Sequence, residues 1–329
     1  MYNPKNDKEM KEEKRNFIRS TGGMPGVLPG AAICAAILLL AGCSKDNGME
    51  TPESDGRVAL QVTSGINVET RAYNDTWESG DAIGIYMLNG ETAEAENCKY
   101  TTEKTGTSGT FKADAANTIY FPINGDSRDF TAYYPYKETI ANGIYQVDVT
   151  TQTSQKDIDL MGAAKVTGKN KNDADVAFEF AHKLVKLALT IKPDGTSLTA
   201  ADMKGLKVEI TNQPVLATYD VVKGGDVSII TTSGKAVDIE LLTNADGTAA
   251  EGIVLPNTST EGMYLRFTLK GIDTPFTWEI HTAAQSQKYE AGKKYTYNIT
   301  VTKTAINVTS TVTDWTPGNG VGGETGSAE

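Results

Sequence analysis

From Val58 to Thr70 apolar residues recur at alternate positions, Val58, Leu60, Val62, Ile66 and Val68, with Ser64 the one polar interruption. Between them stand Ala59, Gln61, Thr63, Gly65, Asn67 and Glu69. Successive side chains of a strand point to opposite faces, so a period of two predicts a half-buried β-strand over residues 58–70. At ~3.3 Å per residue it would reach about 43 Å, well beyond a typical strand. Arg71 follows it directly. Apolar or aromatic runs of strand length recur at 82–88, 118–122, 129–134, 143–149, 176–180, 184–191, 206–210, 227–230, 237–242, 252–255, 264–269, 277–281, 295–301 and 306–312. Asn89-Gly90, Asn124-Gly125, Asn142-Gly143, Asp194-Gly195 and Asp246-Gly247 separate several of them, and such pairs favour tight hairpin turns. Many short strands with turn signals predict an all-β fold of sandwiches, with one short helix near 199–204 capped by Thr199. The polar stretch 168–175, GKNKNDAD, predicts a boundary between a sandwich over 58–174 and another over 175–315. The Gly-rich residues 316–329 read as a flexible tail.

The first residues follow another pattern. Six basic side chains between Lys5 and Arg19 precede an unbroken apolar run, residues 31–40. Ten residues are too few to cross a ~30 Å hydrocarbon core, so the run reads as a secretory signal. It closes on Leu40-Ala41-Gly42-Cys43, which resembles a bacterial lipobox. Cleavage between Gly42 and Cys43, with lipid attached to Cys43, would leave a polar tether over 43–57 and anchor the chain in a membrane. That lipid is the only covalent group expected, with no other cofactor.

Charge narrows the partners. Without residues 1–42 the chain keeps 25 of its 31 basic and 38 of its 42 acidic side chains, a net charge of −13. Nucleic-acid binding needs clustered Lys and Arg, so it is not expected. Cys34 lies in the signal and Cys43 takes the lipid, leaving Cys98 alone and no intrachain disulfide.

Candidate chemistry is sparse. His182 and His281 are the only histidines, and no Gly-x-Ser-x-Gly or His-Glu-x-x-His occurs. Both read as structural histidines, with no catalytic and no metal site expected. Asp157 and Asp159 could share a strand face as paired carboxylates, but 38 acidic side chains make chance pairs common. Trp77, Trp278, Trp315 and the cluster Tyr133-Tyr134-Pro135-Tyr136 could stack on sugars or fill a β-core.

An ordered series of motifs starts with Trp77-Glu78-Ser79-Gly80-Asp81-Ala82-Ile83-Gly84-Ile85-Tyr86-Met87. It continues through Tyr120-Phe121-Pro122, residues 129–136, 159–163 and 178–184, and ends with 295–301 and Trp315-Thr316-Pro317-Gly318. This series resembles the fimbrillin, or Mfa-like, family of Bacteroides-type lipoprotein pilins that build type V pili. The resemblance implies two transthyretin-like β-sandwiches, no enzymatic activity and a place in a fimbrium at the outer-membrane surface. It also implies assembly by donor-strand exchange. An arginine-specific surface protease removes the first strand, and a neighbour's C-terminal strand fills the groove. Carried over, Val58, Leu60, Val62, Ile66 and Val68 belong to the displaced strand, and the bond between Arg71 and Ala72 is the maturation site. Ile306, Val308 and Val312 would be the apolar positions of a donor strand. The implied partners are identical or different pilin subunits, the protease, the membrane through the lipid, and a host or glycan ligand. A glycan-binding surface lipoprotein is the alternative reading. A secreted hydrolase ranks below both.

Overall fold

The computed structural model describes residues 56–65, 76–231, 236–272 and 274–315. Its first nine strands are β1 (Gln61–Gly65), β2 (Ala82–Asn89), β3 (Thr92–Thr102), β4 (Ser108–Lys112), β5 (Arg128–Tyr134), β6 (Ile144–Asp148), β7 (Met161–Ala163), β8 (Val166–Lys169) and β9 (Asp175–His182). Except for β6 they form one sheet in the order β2-β3-β4-β1-β9-β7-β5, with β8 also on β5. Because β5 pairs with β2 as well, through Gly84↔Tyr133 to Leu88↔Asp129, the sheet closes into a ring. A core of Leu60, Val62, Trp77, Ile83, Ile85, Tyr100, Phe111, Phe121, Phe130, Tyr134, Phe178 and Phe180 fills it.

The remaining strands are β10 (Val185–Pro193), β11 (Lys207–Gln213), β12 (Leu216–Asp220), β13 (Ser228–Ile229), β14 (Val237–Glu240), β15 (Leu242–Thr243), β16 (Ala249–Val254), β17 (Tyr264–Thr268), β18 (Phe276–Glu279), β19 (Lys293–Val301) and β20 (Ile306–Asp314). They form a sheet β15-β16-β10-β19-β20, a sheet β14-β11-β17-β18 and, with β6, a sheet β13-β12-β6. All three sheets contribute to a second core around Leu187, Leu189, Val208, Ile210, Ile253, Leu265, Phe267, Tyr295 and Tyr297.

The wall between the cores explains the most apolar segment of the chain. Along β2, Ile83, Ile85 and Met87 enter the ring core, while Tyr86 and Leu88 enter the second core. A strand covered on both faces reads as a continuous apolar run rather than an alternating one. Gly84 lies on the Tyr86 side opposite Tyr133, and a Cβ there would sit 2.2 Å from the Tyr133 ring. The glycine lets that ring lie flat across β2, where it meets Tyr145 edge-on at 5.4 Å.

The expected boundary at 168–175 falls inside the ring. β9 pairs with β1 and β7, so residues 175–182 belong with the first half of the chain. The polar GKNKNDAD stretch ends β8, turns through the bridge Asn170↔Asp173 and enters β9, so it is a tight turn, not a linker. The described residues all lie in one compact unit. The expected helix at 199–204 is a series of turns in which Asp202 accepts hydrogen bonds from the Thr199 N–H and hydroxyl. A four-residue helix forms instead at Gln155–Ile158. Residues 118–122 make only a bridge, Ala59↔Tyr120, because the strand facing them is the short lead into β1.

Candidate functional site: the seat of the first strand

β1 is held on both edges. On one side it runs antiparallel to β4, from Val62↔Phe111 to Gly65↔Ser108. On the other it runs parallel to β9, from Gln61↔Asp175 to Gly65↔Glu179. Just before β1 the chain bridges a third segment. Leu60 N–H donates to Ile119 O at 2.9 Å, and Phe121 N–H to Val58 O at 2.9 Å. Among the described residues β1 is the only link between β4 and β9 in the ring.

Its side chains keep the alternation of the sequence. Leu60, Val62 and Ser64 point inward and are at most 5% exposed, whereas Gln61 and Thr63 are exposed. Val58 is half-buried against the same core. The floor beneath them is aromatic. Trp77 is wholly buried and meets Phe111, Tyr134 and Phe180 edge-on at 5.1, 5.3 and 5.4 Å. Tyr100 lends its hydroxyl to the Ile119 N–H at 3.0 Å, and burial pushes its pKa up to about 12. Ser64 Oγ is buried with no hydrogen-bond partner among the described residues. That makes it the weakest inward position of β1. Taking β1 away would leave two bare strand edges over an apolar trough, a seat for another extended segment.

The Trp77–Asp81 turn sets one end of this floor. Asp81 Oδ2 accepts the Glu78 N–H at 2.7 Å, and Asp81 Oδ1 accepts the Tyr134 hydroxyl at 3.3 Å. Burial first, and the Asp81 carboxylate second, raise the Tyr134 pKa. Lys156 binds both Asp81 and Glu78, at 2.8 and 2.7 Å.

The other expected site residues are spread out. Gly42, Cys43, Ile66, Val68, Arg71 and Ala72 lie outside the described residues. Ile306, Val308 and Val312 stand on β20, an edge strand paired to β19 from Lys293↔Asp314 to Val301↔Ile306. All three are half-buried against the second core. Asp157 is exposed and Asp159 fully buried, so they share no face. Asp159 Oδ1 accepts instead from His182 Nδ1 at 2.7 Å, and the His182 ring stacks on Trp315 at 3.7 Å. His281 sits in a 3₁₀ turn, Ile280–Thr282, 3.3 Å from the Thr260 hydroxyl. Among the described residues no group of three or more His, Cys, Asp or Glu side chains could hold a metal ion. Cys98 is a half-buried free thiol whose pKa burial raises. Trp77, Tyr133 and Tyr134 are at most 1% exposed, so they cannot stack on a sugar, and a glycan site built on them is excluded.

The fimbrillin-like family pattern matches residues 70–315. The chain therefore belongs to the fimbrillin-like family. It is 57% identical over 305 residues to a Bacteroides uniformis protein called "Putative fimbrium subunit Fim1C", covering 91% of this chain and 99% of that one. The crystal structure of a "putative cell adhesion protein" of Bacteroides uniformis shares 55% identity with a TM-score of 0.74, covering 80% of this chain and 99% of that one. A "putative cell adhesion protein" of Bacteroides ovatus, 22% identical with a TM-score of 0.61 and covering 80% and 99%, shares the fold. Family and relatives are fimbrial and adhesion proteins, not enzymes.

Proposed function

We propose that this fimbrillin-like chain is exported as a lipoprotein on Cys43 and becomes a fimbrial subunit once β1 is removed by cleavage after Arg71. A neighbouring subunit then lays an extended strand between β4 and β9. The observation that carries this reading is the position of β1. It is paired on both edges and buries Leu60 and Val62 in the ring core. A replacement strand inherits both backbone ladders and the apolar trough, which supply affinity and register respectively. The family pattern starts at residue 70, next to the proposed cut. Arg57 is the wrong place to cut, because it precedes the strand and packs over the Tyr120 ring at 4.3 Å.

The subunit would receive a strand without giving one. β20, the C-terminal strand of the described residues, is part of the protein's own second core. A subunit that keeps β20 in its own sheet accepts a strand without lending that one, and such a subunit ends a filament rather than extending it. The test is to cut the purified chain from Cys43 onward with an arginine-specific protease. The reading expects a new N-terminus at Ala72, monomers by light scattering, and saturable binding of a neighbour subunit's C-terminal strand supplied as a peptide. Surface-recovered protein that keeps an intact Arg71–Ala72 bond would remove the cleavage step.

A further inference from the structure

β20 has every outward feature of a strand that could leave. It is an edge strand, its apolar side chains are only half-buried, and its burial alternates from Ile306 to Thr309. Its N-terminal end is tied to β19 by the turn in which Thr302 N–H donates to Ala305 O at 2.9 Å. It can therefore come away only from its C-terminal end. That end is where it is held hardest.

Trp315 follows β20 directly and is 7% exposed. Its N–H donates to Gly292 O at 2.8 Å, and the Gly292 N–H donates to Leu184 O at 2.9 Å, which extends the ladder of β10, β19 and β20 by one step. Its indole lies on the His182 ring with an interplanar angle of 4°. His182 ends β9, in the ring, and both its side chain and that of Asp159 are 0% exposed. The hydrogen bond to Asp159 fixes the imidazole plane that the indole needs. One residue back, Lys293 and Asp314 form an ion pair across the two strands. The stack therefore pins the C-terminal strand to the opposite half of the molecule.

We propose that Trp315, stacked on the buried His182–Asp159 pair, is a lock that keeps β20 in its own sheet and so prevents this chain from acting as a strand donor. This rests on the acceptor reading given above. The lock can nevertheless be tested without it, on the uncut chain, by hydrogen exchange. Hydrogen-bonded pairs alternate along an antiparallel ladder. The Gly292–Trp315 bond therefore directs the N–H groups of Asn307, Thr309, Thr311 and Thr313 toward β19, where their exchange reports opening of β20. In Trp315→Ala those amides should exchange roughly a hundredfold faster or more, the scale of losing a buried Trp. Trp315→Phe, which keeps an aromatic face, should fall between, and β10 and β16 should be unchanged as a check that the fold is intact. Cut after Arg71, Trp315→Ala should form ladders of oligomers where the wild-type chain stays single.

Unchanged exchange on β20 in Trp315→Ala overturns the lock. Fast exchange without oligomers limits Trp315 to holding the strand and overturns its role in preventing donation. A cut wild-type chain that binds no peptide of residues 306–314 refutes the acceptor reading instead, and the exchange result still judges the lock.

Discussion

Replacing Leu60 by alanine should weaken the hold on β1 without disturbing the rest of the ring. Leu60 is 5% exposed and lies just before β1, over the aromatic floor. Truncating a buried leucine costs about 2–5 kcal/mol. While the chain is continuous this loss lowers overall stability. Once the chain is cut after Arg71, β1 is a separate fragment held only by its ladders and its inward side chains. The same free energy then appears in the release of the fragment, which should speed up roughly thirty- to several-thousandfold. Ser64 gives the opposite sign at the next inward position but one. Its hydroxyl is buried with no partner among the described residues, so Ser64→Ala removes a desolvation cost of about 1–3 kcal/mol. Release should slow by about fivefold to a hundredfold. Gln61 is exposed on the other face, and Gln61→Ala should lie within about 0.5 kcal/mol of wild type. The assay is fragment loss after cleavage, followed by mass spectrometry of the gel-filtered protein in the presence of excess competitor peptide. Equal release rates for Leu60→Ala and Gln61→Ala would refute the claim that the inward face of β1 holds it in the ring.

Trp77→Ala should destabilise the whole chain by about 3–5 kcal/mol in urea unfolding, since the indole is wholly buried among three edge-on aromatic rings. A loss under about 1 kcal/mol would show that the floor can collapse around the gap. Asp194 accepts the Leu198 N–H and then the Ser197 hydroxyl, which lowers its pKa from 3.8 to about 2. A lowered folded pKa means the loop is fully stabilised above pH 3.8 and loses that contribution as pH falls through about 2, so NMR titration of Asp194 should show a midpoint near the lower value. Burial raises Tyr86, Tyr219 and Tyr297 from 10.0 to about 12. Raised folded pKa values mean their contribution is complete below pH 10 and lost as pH rises through about 12. Tyrosinate absorbance should therefore lag behind that of free tyrosine until the fold opens, and normal titration of all three in folded protein would contradict the burial.

The alternation of Val58, Leu60 and Val62 was enough to fix a half-buried strand and its inward face, because period-two burial is a local property of a strand. The family likewise followed from ordered local motifs, and the turn at Trp77–Asp81 shows why such motifs persist as units: one carboxylate ties the Glu78 amide to the Tyr134 hydroxyl. β3, with its run Thr92–Thr102, was invisible as a strand, since Ala93, Ala95 and Cys98 are small and only half-buried beside charged neighbours. Trp77 and Tyr134 were ambiguous in sequence between a sugar platform and a core, because an aromatic residue is equally suited to either. Only the tertiary structure showed that they floor the seat of β1. It also decided that GKNKNDAD is a tight turn and that β9 stays in the ring, since strand partners far apart in sequence leave no local trace. The same holds for the C-terminal strand. Its pattern says only that Ile306, Val308 and Val312 share a face, as they would in a donor or in a resident strand. The ladder to β19, and the meeting of Trp315 with a histidine at the end of β9 in the ring, are long-range contacts that local pattern cannot encode.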